Sequence, residues 1–157
     1  MIVRVPDLTE EVRKVVFCEP AASLNDRIDA SPGREDEHFV GDLEVDGELY
    51  RTEGDVHFSG SVGAQVRSVC SRCLEEFVWQ LERDFSFVIV PAKAAEEPQD
   101  DEGIDHYSGD DLDLAPLVCE QALLALDLSL LCSDSCRGLC AGCGANLNVE
   151  ECRCANR

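Results

Sequence analysis

The stretch VHFSGSVGAQVRSVCSRCLEEFVWQLERDFSFVI, residues 56–89, decides the fold. Val56, Phe58, Val62, Ala64, Val66 and Cys70 share one parity, while Asp55, His57, Ser59, Ser61, Gln65 and Arg67 share the other. Alternation with period two marks a half-buried strand. After Cys73 it resumes, with Phe77, Trp79, Leu81, Phe85, Phe87 and Ile89 on one face and Glu76, Gln80, Glu82, Asp84 and Ser86 on the other. The two runs flank Cys70-Ser-Arg-Cys73 and predict a long antiparallel hairpin with that tetrapeptide at its tip.

Outward from the hairpin the signals weaken. Phe39 to Tyr50 alternates through Phe39, Leu43, Val45 and Leu49, although Asp46-Gly47 also suits a short hairpin turn. Val3 and Val5 suggest an initial strand, and Thr9 to Val15 a helical turn. Pro91 ends the second long strand, and Ala92 to Gly109 reads as an acidic loop. A helix then follows, with Asp113 as N-cap, Pro116 in the first turn, and Leu114, Leu117, Val118, Ala122, Ala125 and Leu128 near helical spacing. The expected fold class is α+β: an antiparallel β-rich domain built on the long hairpin, with a barrel-like form as an option, covered by one main helix and followed by a Cys-rich zinc-knuckle tail. The expected division is a β-rich domain over 1–92, an acidic loop over 93–110, a helix over 111–131 and a metal-binding tail over 132–157.

The cysteines carry the chemistry. Cys132, Cys136, Cys140, Cys143, Cys152 and Cys154 crowd the last 26 residues, and Cys70 with Cys73 sits mid-chain. A disulfide framework needs an oxidising compartment. Acidic residues stand where a signal peptide would have its apolar core, and no apolar run reaches transmembrane length, so a reducing cytoplasm and metal ligation are expected. The thiols form four close pairs, enough for two tetrahedral sites. A local knuckle from Cys140, Cys143, Cys152 and Cys154 would leave Cys132 and Cys136 to join Cys70 and Cys73. One zinc with the remaining thiols free is the alternative arrangement. Zinc is preferred to iron, because closed four-cysteine structural sites are among its commonest uses. Four thiolates leave no open coordination position, so a catalytic metal is not expected. Cys18 and Cys119 stand alone and read as core residues.

The formal charge is −20, from 33 acids against 13 Lys and Arg. Such a body repels nucleic acid and anionic membranes and attracts basic partners. Between Ala94 and Asp127 eleven acids occur without a Lys or Arg, either as a solvated stretch or as a docking surface for a basic protein. Near the cysteines lie a few arginines, of which Arg72, Arg137 and Arg153 are candidate contacts to RNA or a partner. They could equally balance thiolate charge. His38, His57 and His106 have no nucleophile or acid in a recognisable arrangement, and no phosphate loop, nucleophile elbow or H-E-x-x-H is present, so no enzymatic activity is expected.

Three segments together resemble the YceD family of large ribosomal RNA subunit accumulation proteins. They are Cys70-Ser-Arg-Cys-Leu-Glu-Glu-Phe77, Leu112 to Leu126, and Leu131-Cys-Ser-Asp-Ser-Cys-Arg-Gly-Leu-Cys-Ala-Gly-Cys-Gly-Ala-Asn-Leu-Asn148 with Cys152-Arg-Cys154. The chain departs from that pattern at Leu126-Asp-Leu-Ser-Leu, where relatives tend to have a proline after the helix. The resemblance implies a ribosome-biogenesis factor without enzymatic activity, and the family's genes often neighbour one for a small basic ribosomal protein. Combined with the charge, this favours an acidic, zinc-stabilised adaptor or chaperone for a basic large-subunit ribosomal protein. Direct binding of precursor ribosomal RNA or of the precursor particle, and a dithiol or metal redox role, are the alternatives.

Overall fold

The computed structural model describes residues 1–31, 34, 36–92, 105–127, 129–152 and 154. Its centre is the long hairpin, formed by β5 (Asp55–Val69) and β6 (Glu76–Pro91). These strands pair antiparallel from Val56↔Ile89 to Val69↔Glu76. One face follows the sequence parity: Val56, Phe58, Val62, Ala64 and Val66 are buried, as are Leu81, Phe85 and Ile89.

Around this hairpin the sheet grows in both directions. On one side β5 pairs antiparallel with β4 (Leu43–Thr52), and β4 with β2 (Arg13–Glu19). The short β3 (His38–Phe39) extends beside β5 beyond the start of β4. On the other side β7 (Asp105–Tyr107) pairs parallel with β6. The six-stranded sheet is therefore mixed and does not close into a barrel, correcting the barrel-like option. A separate antiparallel pair joins β1 (Ile2–Arg4) to β8 (Asp111–Asp113) and fixes the N-terminus against the start of the second helix.

Among the described residues two α-helices are present where one main helix was expected. Helix α1 (Ala21–Asp29) contributes only Leu24 and Ile28 to the core, too short an apolar pattern to announce itself in the sequence. It is secured by Asn25, whose side-chain amide pairs with both backbone groups of Phe39 (Oδ1 accepts from N at 2.9 Å and Nδ2 donates to O at 3.0 Å). Helix α2 (Ala115–Leu124) is shorter than the expected 111–131, and Asp111 to Asp113 belong to β8. Asp113 still serves the helix start, because its Oδ1 accepts from the Ala115 amide at 3.1 Å. Leu114, Val118, Cys119 and Ala122 are buried against the sheet, while Leu128 lies outside the described residues.

Other local expectations fail for identifiable reasons. Thr9 to Val15 forms no helical turn: Val5 to Asp7 is a 3-10 turn and Arg13 begins β2. Asp46-Gly47 is inside β4, and the β4–β5 turn falls instead at Glu53 (φ 52°) and Gly54 (φ 104°), both left-handed as a tight hairpin turn requires. Cys18 is exposed on the solvent face of β2, opposite Glu44, which overturns its core assignment. The neighbour that fixes parity is Phe17, partly buried against the core. Within the expected acidic loop, residues 93–104 lie outside the described residues and Asp105–Tyr107 is strand.

One packing constraint governs the sheet centre. Gly47 and Gly60 are cross-strand partners, and the Phe58 ring lies against Gly47 where a side chain would stand. A Cβ on Gly60 would overlap the Asp46 carbonyl oxygen and approach the Gly47 Cα to 2.5 Å. Both contacts are to backbone, which has little room to yield. Gly60→Ala is accordingly expected to lower stability by about 2 kcal/mol, measured by urea denaturation. Phe58→Ala should cost roughly 3–5 kcal/mol through its cavity.

Candidate metal centre

The hairpin tip is a tight turn with a defined bond pattern. The Cys70 amide donates to the Glu75 carbonyl (2.9 Å), the Leu74 amide donates to the Cys70 carbonyl (2.9 Å), and Leu74 is left-handed at φ 60°. The tail repeats this turn. There the Cys140 amide donates to the Ala145 carbonyl (2.9 Å), the Gly144 amide to the Cys140 carbonyl (2.8 Å), and Gly144 has φ 71°. In each case the residue after the second cysteine must adopt the left-handed region, which glycine does without steric cost and leucine does not. Both turns aim two thiols of a C-x-x-C segment at one point.

Each turn meets a second cysteine pair. The sulfurs of Cys70, Cys73, Cys132 and Cys136 lie within 4.8 Å of one another, and so do those of Cys140, Cys143, Cys152 and Cys154. No disulfide joins any of them. Cys70 to Cys136 and Cys73 to Cys132 are 3.7 Å apart, Cys140 to Cys152 is 3.3 Å, and Cys140 to Cys154 is 3.9 Å. Four bonds of about 2.3 Å to a tetrahedral zinc place the sulfurs about 3.8 Å apart, so both tetrads fit such an ion.

The tetrads differ in setting. Cys70, Cys73 and Cys136 are buried and form a small core with Phe77 and Leu131 packed on it. Backbone bonds lock the tail onto the tip: Ser71 N to Leu130 O (2.9 Å) and Leu139 N to Arg72 O (3.0 Å). Gly138, at φ 71°, comes so close that a Cβ there would stand 3.1 Å from the Arg72 oxygen. By contrast Cys143 and Cys154 are exposed and Cys140 and Cys152 half-buried.

Local electrostatics favour the thiolate at Cys70 and, through the Asn148 amide, at Cys136 in the buried tetrad, and at Cys140 in the exposed one. Burial pushes the Cys70 thiol up, but amide donors of Cys132, Cys73 and Arg72 outweigh it and bring the pKa down to about 6. Amides of Gly142 and Cys143, then the Cys152 thiol, lower Cys140 to about 6. Hydrogen bonding with Cys73 and burial push Cys132 up to about 12, and Cys143 and Cys140 do the same for Cys154. Four thiols so close cannot all ionise without a cation among them. A bound metal supplies that charge and deprotonates its ligands.

The arginines separate in role. The Arg72 guanidinium donates to the Cys136 carbonyl (Nη1 to O, 3.2 Å), bracing the tail against the hairpin. Arg137 is exposed, with its amide held by Asn148 Oδ1 at 2.8 Å. Arg153 lies outside the described residues. Arg83 reaches Gln121 of α2 (3.1 Å). Sequence reasoning assigned no role to Asn146 and Asn148. Asn148 Nδ2 donates to the Cys136 sulfur (3.4 Å) and to Asn146 Oδ1 (2.9 Å), and Asn146 Nδ2 reaches Glu75 Oε1 (3.3 Å). The only signal was an Asn-Leu-Asn segment, residues 146–148, closely following the C-x-x-C-G turn, since outer hydrogen-bond donors commonly orient metal ligands.

Comparison with known proteins bears on these residues directly. A family model described as "Large ribosomal RNA subunit accumulation protein YceD" matches residues 58–157, which include all eight clustered cysteines. The chain is 27% identical over 139 residues to the maize (Zea mays) protein "Large ribosomal RNA subunit accumulation protein YCED homolog 1, chloroplastic". That alignment covers 70% of this chain and 47% of the maize protein, so the chain spans about half the length of that relative. No solved structure matches. Among the described residues no helix is long and apolar enough to cross a membrane.

The two settings predict two metal-release phases. A chelator titration with elemental analysis should count two ions, with the exposed C-terminal tetrad emptying first. Cys140→Ser should lose one ion and about 1 kcal/mol or less, whereas Cys70→Ser should lose one ion and more than about 3 kcal/mol.

Proposed function

Because the chain belongs to the YceD family, we propose that it is a ribosome-biogenesis factor supporting accumulation of large-subunit ribosomal RNA. It acts as an acidic adaptor that holds a basic large-subunit ribosomal protein before assembly. Zinc fills both thiol tetrads and serves structure, in a reducing compartment such as the cytoplasm; the ends of the ligand field are closed to water and substrate. In this reading Cys70, Cys73, Cys132 and Cys136 staple the tail to the hairpin, and Cys140, Cys143, Cys152 and Cys154 close the local knuckle. The chain carries out no catalytic step.

The observation that carries the adaptor reading is the charge of −20. A free basic ribosomal protein binds RNA indiscriminately through counterion release, and an acidic holder competes for the same cations without base contacts. Direct RNA binding is the second reading, and Arg137 is the observation in its favour, being exposed beside the tetrads. Arg72 is less available, since its guanidinium is engaged with the Cys136 carbonyl. The redox reading rests on the closeness of Cys140 and Cys152, whose sulfurs lie 3.3 Å apart.

Isolation of the tagged protein from its own cells at low salt tests the choice. One basic large-subunit ribosomal protein in equal amount is the expected companion, released as salt rises. Precursor RNA with no ribosomal protein would instead make the chain an RNA binder. Iron absorbance, or metal lost under mild oxidant, would support the redox reading.

A further inference from the structure

The helices cover one face of the sheet, and among the described residues the opposite face is bare. Across it three rows repeat a pattern. Glu48, Ser59 and Ser86 stand side by side on β4, β5 and β6; next come Asp46, Ser61 and Asp84; then Glu44, Gly63 and Glu82. The central strand thus supplies a floor of small residues between two carboxylate walls. Two open depressions follow it, about 320 Å³ beside Asp46, Glu48 and Asp84 and about 410 Å³ beside Glu44, Gly63 and Gln80.

All five carboxylates are exposed, and none has an ion-pair partner within 4.0 Å among the described residues. Elsewhere acids do find partners: Asp110 and Asp111 meet Arg4, and Glu37 meets Arg34. Among the described residues only Lys14, opposite Glu48 on the edge strand β2, brings positive charge to these rows. Stacking like charges on one sheet face opposes folding. A cationic occupant would remove that repulsion.

Spacing identifies the occupant. Acids on one wall recur every second residue, about 6.8 Å, the distance between same-face side chains of any extended chain. The walls are two strand spacings apart, about 9.6 Å, too wide for one metal ion whose oxygen ligands lie at about 2.0–2.6 Å. Polyanionic nucleic acid is repelled.

We propose that this face is the docking surface for an extended basic polypeptide segment, carrying Lys or Arg at alternate positions, that lies along β5 between the carboxylate walls. The inference rests on the adaptor reading and locates its partner site.

The test uses the full-length, zinc-loaded protein and a synthetic Lys-Ser alternating peptide of about eight residues, long enough to span the rows at about 3.4 Å per residue. E44Q/D46N/E48Q/E82Q/D84N should weaken binding about tenfold or more, whereas D7N/E10Q/E11Q/D26N/D29N, with the same change in charge, should weaken it less than about threefold. NMR amide shifts in the unsubstituted protein should concentrate at Ser59, Ser61 and Gly63. If the five-residue face variant does not fold, E44Q/D46N/E48Q and E82Q/D84N are measured separately. Equal losses in both variants, or shifts elsewhere, overturn the docking surface. A basic ribosomal protein that still co-isolates with the face variant also overturns it and leaves the adaptor reading standing. Recovery of RNA alone with the unsubstituted protein overturns the adaptor reading itself.

Discussion

Everything at the C-terminal end depends on the junction between the hairpin tip and the tail, where Cys70 and Cys73 meet Cys132 and Cys136. A sequence gap of about sixty residues separates the two pairs, and bringing them together costs chain entropy that grows only slowly with loop length. Tetrahedral thiolate ligation is strong enough to offset that cost. Once the pairs meet, the Ser71–Leu130 and Arg72–Leu139 backbone bonds and the Asn148 amide fix the tail, and the second tetrad becomes a local appendage. Burial therefore differs between the sites because their topological tasks differ.

The same sheet separates a packed face from a charged one. Its inner face packs Phe58, Leu81, Val62 and Ile89 under the helices, and its outer face gathers exposed carboxylates. A strand has period two, so a single segment can serve both without compromise. Gly47 and Gly60 show the limit of that freedom, since the Phe58 ring and the close approach of the β4 backbone leave no room for a Cβ. A large negative charge then acts on partners at long range and on the fold mainly as repulsion.

The hairpin was legible because alternation persists over two strands of fifteen and sixteen residues. Helix α2 was legible in place but not in extent, as Asp111 to Asp113 pair with β1, a partner more than one hundred residues away. Helix α1 and β2 were not legible. Two core positions do not make a period, and β2 is an edge strand whose Val16 and Cys18 face solvent, blurring the pattern. Local spacing could identify the C-x-x-C turns, but it could not say that Asn148, after the second of them, reaches the buried Cys136 sulfur.

The sequence by itself determined the four close thiol pairs, the hairpin and the sign of the electrostatic field, because each depends on residue type and short-range spacing. Only the tertiary structure decided which thiol pairs share a site, that the sheet stays open with helices on one side, and that Asp46 faces Asp84 and Glu44 faces Glu82 across a floor of small residues. Those outcomes depend on strand register and on contacts between distant segments, which a linear pattern does not encode.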